Sequence, residues 1–134
     1  MAYGFSPIIP LVKSEEDCFY ALTKTLAENV KQNFKNLLLT SPGERVMIPD
    51  FGVGLRNELF RNRLETVEAD ITHRIEEQVD RFMPYVSIDD IVFNRSESSA
   101  AGTAVENLMD VQIYYSVDNF NYADMISITK VQYL

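Results

Sequence analysis

Thr40 to Phe60 reads TSPGERVMIPDFGVGLRNELF and concentrates three of the chain's five glycines and two of its five prolines between two helical patterns. Proline fixes φ and glycine opens positive φ, so the backbone must change direction sharply within these residues. Pro42-Gly43 is one turn, and Pro49 with Asp50-Phe51-Gly52 is another. Phe51, Leu55 and Phe60 are apolar anchors that hold the turns down. Glu44 and Arg45 stand just past the first turn, where a guanidinium fork bridges loop carbonyls or a carboxylate. Asp50 is placed to accept from backbone amides two residues on, fixing the turn at Phe51-Gly52. Both acidic residues are read as structural.

Upstream, Thr25-Leu26-Ala27-Glu28 has the form of a capping box and starts a helix. Leu26, Val30, Phe34, Leu37 and Leu38 follow at helical spacing, giving an apolar stripe over Leu26 to Leu39 that Pro42-Gly43 stops. Ser14 with Asp17 is a possible earlier helix start, while Phe19 to Thr23 reads equally well as extended chain. Phe5 to Val12 is apolar but broken by Pro7 and Pro10, without a preceding positive charge, so residues 1–24 are expected to be an extended arm and 25–134 the folded domain.

Downstream, Val67, Ile71, Ile75, Val79 and Phe82 repeat every three or four residues, and this second helix ends before Pro84. The period then changes to two. Val86 and Ile88, then Ile91 and Phe93, predict a strand with a bulge at Asp89-Asp90. Asp110 to Val117 alternates cleanly as a second strand, and Met125 to Tyr133 is a third. Arg95 to Asn107 is polar, small in side chain and expected to be a loop. The fold class is therefore α+β: two amphipathic helices on a mainly antiparallel sheet of three or more strands.

A chain of 134 residues with 46% hydrophobic content is about one domain. Its formal charge of −8 repels phosphate backbones and anionic lipid, so neither nucleic acid nor membrane is expected as a partner. No apolar run approaches the roughly 18 residues needed to span a bilayer. Cys18 is the one cysteine and His73 the one histidine, which rules out an intrachain disulfide and a Cys-rich zinc site. His73 lies off the apolar stripe, and nothing around Cys18 supports a nucleophile pair with it. Asp50-Phe51-Gly52 lacks the other motifs of a kinase, and Gly52-Val53-Gly54 is half a dinucleotide fingerprint without its βαβ setting. No cofactor or metal is expected.

Thr40-x-Pro42-Gly43-Glu44-Arg45, then Pro49-Asp50-Phe51-Gly52, then Leu55 with Leu59-Phe60, resembles the signature of the gene 25-like baseplate wedge family of contractile phage tails, which has a relative in type VI secretion baseplates. The likeness in element order runs from about Leu22 to the C-terminus. The resemblance implies a non-enzymatic virion protein, made in the host cytoplasm, that links other wedge proteins to the first ring of the tail sheath. It implies one copy per wedge and so about six around the axis. A sheet edge would accept sheath arms by β-augmentation, with Met125, Ser127, Thr129, Val131 and Tyr133 on the last strand as contact candidates. The family's Glu-Pro-Arg triplet at the end of the second long helix falls on Met83, Pro84 and Tyr85, of which only the proline is kept, so an apolar or aromatic partner contact is expected there. Family members have also carried the label lysozyme-like, so a hydrolase using paired carboxylates is the alternative of a different class. That chemistry needs a cleft and one raised carboxyl pKa, and the chain has no tryptophan to wall it. A type VI secretion baseplate subunit is the other alternative.

Overall fold

The computed structural model describes residues 3–17, 19–59, 65–96, 108–118 and 121–129. By compactness the chain divides into two units, Met1–Leu37 and Leu38–Leu134.

In the first unit the N-terminal residues are extended but paired. Strands β1 (Lys13–Ser14) and β2 (Phe19–Tyr20) form an antiparallel hairpin, and Pro7 bridges Leu22. Ser14 begins the hairpin turn instead of a helix: its Oγ accepts the Asp17 N–H at 3.3 Å. Asp17 then takes the Leu22 N–H and pairs with Lys24. That ammonium holds the Asp17 carboxyl below its ordinary value. Phe19-Tyr20, readable either way from sequence, is strand.

Helix α1 spans Leu26–Leu39. Its start is the predicted reciprocal cap: the Glu28 N–H donates to Thr25 Oγ1, and the Thr25 N–H donates to Glu28 Oε2, both at 3.2 Å. Val30, Phe34, Leu37 and Leu38 are buried, each contributing about 2 kcal/mol. The amide donors of Thr25 and Lys24 hold the Glu28 carboxyl below its ordinary value. A carboxyl depressed by folding stabilises the fold above its unfolded value, and that contribution is lost as pH falls through the folded one. Thr25→Ala removes the Oγ1 acceptor of the Glu28 N–H and should cost about 1 kcal/mol. The amides that lower the Glu28 carboxyl are backbone groups kept in the variant, so thermal melts of wild type and variant should stay separated by a similar margin as pH falls.

The second unit holds α2 (Leu55–Leu59), α3 (Glu65–Phe82) and a three-stranded antiparallel sheet of β3 (Val86–Ser96), β4 (Leu108–Val117) and β5 (Tyr122–Thr129), in the order β3-β4-β5. With both sheets and all three helices, the described residues are α+β. Helix α3 buries Ile71, Ile75 and Val79, and the sheet buries Val86, Val111, Ile113, Tyr115, Val117, Ile126 and Ile128. Pairing of β3 with β4 shifts register between Ile88 and Asp90, the bulge that the change of alternation required. Two boundaries differ from expectation. Arg95 and Ser96 are not loop; they pair with Met109 and Leu108 because β3 runs on past its apolar part. Strand β5 begins three residues earlier than Met125, at Tyr122, where Tyr122 pairs with Val117. The rest of the expected loop, Phe60, Val131 and Tyr133 lie outside the described residues.

Candidate functional site

The turn-rich stretch after α1 is built from backbone hydrogen bonds. The Gly43 N–H donates to the Pro49 carbonyl at 2.7 Å and closes a loop over residues 43–49. The Gly54 N–H donates to the Thr40 carbonyl at 2.8 Å and ties the far end to the end of α1. Glu44 holds the first turn twice, its N–H donating to the Ser41 carbonyl and its Oε2 accepting the Ser41 N–H at 2.9 Å. Pro42 and Pro49 are both exposed.

Gly52 is the tightest point. Its φ is 110°, and a Cβ there would lie 2.1 Å from the Thr40 carbonyl oxygen. Its buried N–H donates to Gln78 Oε1 at 2.9 Å, while Gln78 Nε2 donates to the Asp50 carbonyl at 3.1 Å. Buried Gln78 thus takes the part expected of the Asp50 carboxylate. Asp50 itself points out, 70% exposed and 3.8 Å from Arg81, because the Gly52 amide is turned inward toward α3. The sequence did carry a signal for Gln78: it is a polar residue inside the stripe Ile71, Ile75, Val79, Phe82.

Arg45 also departs from its expected role. Its guanidinium lies over the Phe51 ring, 4.4 Å from the centroid, and among the described residues it makes no bond to a carboxylate or carbonyl. Phe51 meets Phe82 edge to face at 5.0 Å, and Arg81 lies over Phe82 at 5.2 Å. Such a stack fixes the foot of the loop on α3 by apolar and cation–π contact. Leu55 is fully buried. Arg74 of α3 donates to Glu58 of α2 at 3.0 Å, bracing the short helix.

The remaining contact candidates fall on two places. At the end of α3, Met83 is buried, and its backbone pairs with Val79 and Val86, so it belongs to the core and offers no surface. Pro84 is exposed and Tyr85 half-buried, with burial pushing the Tyr85 phenol up. On β5, Met125 and Ser127 are exposed, whereas Ile126 and Ile128 between and beyond them face the core. Thr129 closes the described strand opposite Asp110. Among the described residues β5 pairs only with β4, so its outer edge is open. Tyr115, paired with Asp124 across the strands, is fully buried, and burial with that carboxylate's charge drives its phenol far above the ordinary range.

The model of the family described as baseplate wedge protein gp25 matches residues 24–122. The chain belongs to that family. Among solved structures, a chain of the anti-feeding prophage baseplate is 28% identical with a TM-score of 0.64, covering 89% of this chain and 86% of that one. A protein provisionally assigned as a tail lysozyme, from Geobacter sulfurreducens, shares the fold at 22% identity and a TM-score of 0.62, over 81% of this chain and 93% of its own. A chain of the post-contraction pyocin R2 baseplate shares it at 17% identity and a TM-score of 0.54, over 80% and 97%. No curated protein matches. As a gp25 family member the chain is a structural baseplate component of contractile tail systems. The family match covers the whole turn-rich stretch, α3 and the sheet as far as Tyr122.

Proposed function

We propose that this protein joins the baseplate wedge to the first ring of the contractile sheath, by accepting an extended sheath arm along the outer edge of β5. The observation that carries the reading is the outer edge of β5, an eight-residue strand without bulge or proline that no other described strand pairs with. Unpaired edges are normally blunted, and the opposite edge strand, β3, is interrupted by its bulge at Asp89-Asp90. An edge left open fits a protein whose edge is covered on assembly. Alternate residues Met125 and Ser127 would set the register of the incoming strand. Pro84 and Tyr85 are the surface offered to other wedge proteins. The anti-feeding prophage baseplate is six-fold symmetrised, which supports six copies around the axis.

The protein acts without catalysis in this reading. Asp17 and Glu28 are held below the ordinary carboxyl range, opposite to what a general acid requires, and the Glu44 carboxylate is spent on the Ser41 amide. Purified protein should release nothing from peptidoglycan. Turnover that vanishes in Glu44 or Asp50 variants would establish a hydrolase instead.

Cryo-electron microscopy of intact tails tests the proposal. The chain is expected at the junction of baseplate and sheath, with a foreign strand against β5. Density for it at the distal tip or on the capsid would overturn the assignment.

A further inference from the structure

Hydrogen bonding across an antiparallel sheet alternates, so each residue of a strand turns its N–H and carbonyl to one neighbour or the other. The Asp118 N–H donates to the Tyr85 carbonyl at 3.4 Å, just beyond the paired ends of β4 and β3. Counting back from Asp118, Ser116, Tyr114, Gln112 and Asp110 bond toward β3, which leaves Val117, Tyr115, Ile113 and Val111 to bond toward β5. Their partners Tyr122, Asp124, Ile126 and Ile128 turn inward, so the amides of Ala123, Met125 and Ser127 point to the outer edge. Those are the donors that an added strand would use.

The middle one is already taken. The Met125 N–H donates to Asp124 Oδ1 at 2.8 Å, and the Tyr122 hydroxyl donates to Oδ2 of the same carboxylate, also at 2.8 Å. Asp124 is thus held by both oxygens, one of them on the edge donor. The opposite edge of the sheet has the same arrangement: the Ile91 N–H of β3, which the alternation also turns outward, donates to Asp90 Oδ1 at 2.9 Å.

We propose that Asp124 is a displaceable guard of the β5 edge, closing the Met125 amide in the free protein and swinging off it when a sheath arm pairs there. The proposal rests on the sheath-junction reading and adds what regulates that edge. An incoming carbonyl competes with the carboxylate for one N–H, since both are acceptors and the carboxylate bond is charge-assisted. A short stray strand gains too few ladder bonds to offset that loss, whereas an arm running the length of β5 also gains bonds at Ala123 and Ser127. Charges placed on an edge strand are a general defence against chance pairing. Here the charge is fastened to the donor itself, and Tyr122 is its positioning residue.

The test titrates full-length wild type and variants with the purified sheath subunit of the system that encodes them, and follows amide exchange of the free proteins by NMR. Asp124→Ala should bind sheath about tenfold more tightly than wild type, and its Met125 amide should exchange about tenfold faster while Ile126 and Ile128 keep their rates. Asp124→Asn, which keeps an oxygen for that amide, should lie closer to wild type than to Asp124→Ala. Tyr122→Phe, which releases Oδ2 alone, should raise both quantities by about two- to threefold, and it decides if Asp124→Ala does not fold. Equal or weaker sheath binding by Asp124→Ala would make Asp124 a contact of the arm and overturn the guard. So would Asp124→Asn binding as tightly as Asp124→Ala, since charge alone would then be at work. If wild type and Asp124→Ala both leave sheath unbound, the junction reading fails and the guard of a sheath arm fails with it.

Discussion

Gly52→Val is expected to lower stability by about 4 kcal/mol or more, a fall in melting temperature on the order of 15 °C, or to prevent folding. Two effects add. A φ of 110° is strained for any L side chain, most of all a β-branched one. Independently, the new Cβ would lie 2.1 Å from the Thr40 carbonyl oxygen and 2.8 Å from its carbon, so backbone must shift. That shift would disturb the Gly54 to Thr40 bond, which ties the stretch to the end of α1. Gly43→Ala is the control, since it too has positive φ, 89°, but open space around it, and should cost only about 1 kcal/mol. Thermal denaturation followed by circular dichroism decides, and a Gly52→Val protein as stable as wild type would remove the tight turn from the account.

Gln78→Leu is expected to cost about 2–3 kcal/mol with little change in volume, measured by urea denaturation. The buried Gly52 N–H loses its acceptor, whereas the Asp50 carbonyl sits on an exposed residue and can turn to water. Gln78→Glu separates the two bonds. It keeps an acceptor for Gly52 but, when ionised, has no donor for Asp50 and sets charge against a carbonyl. The carboxyl's folded pKa is then raised, so the deficit should be small below about pH 4.3 and grow as pH climbs. Combining Gln78→Leu with Gly52→Val should cost less than the sum, because both act on one amide. A Gln78→Leu protein with wild-type stability would show that the bridge carries no net energy.

Helices and strands were legible because each rests on a local period. The Leu26 to Leu38 stripe, the Thr25 cap and the switch of alternation at Asp89-Asp90 all state their geometry within a few residues. The turn-rich stretch was legible as a set of turns and as a family signature, not as a set of contacts. Which side chain satisfies the Gly52 amide depends on where α3 lies, 26 residues further on, and Asp50 was the nearest acceptor in sequence but not in space. Arg45 was read from charge, whereas its setting is decided by an aromatic ring that the turn brings beneath it. Met83 was placed at a surface by alignment to a charged triplet, but an apolar residue at the end of a core stripe packs inward. The short hairpin escaped because two-residue strands carry no period at all.

The bulge in β3 gives the sheet two unlike ends. In the vocabulary of polymer chemistry, a unit with two equivalent open edges is bifunctional and can be threaded into a chain of indefinite length. A unit with one edge spoiled by Asp89-Asp90 and one intact at β5 is monofunctional. On the proposed reading it would begin a series of added strands without sitting in the middle of one, the valence of an end group from which growth proceeds in a single direction.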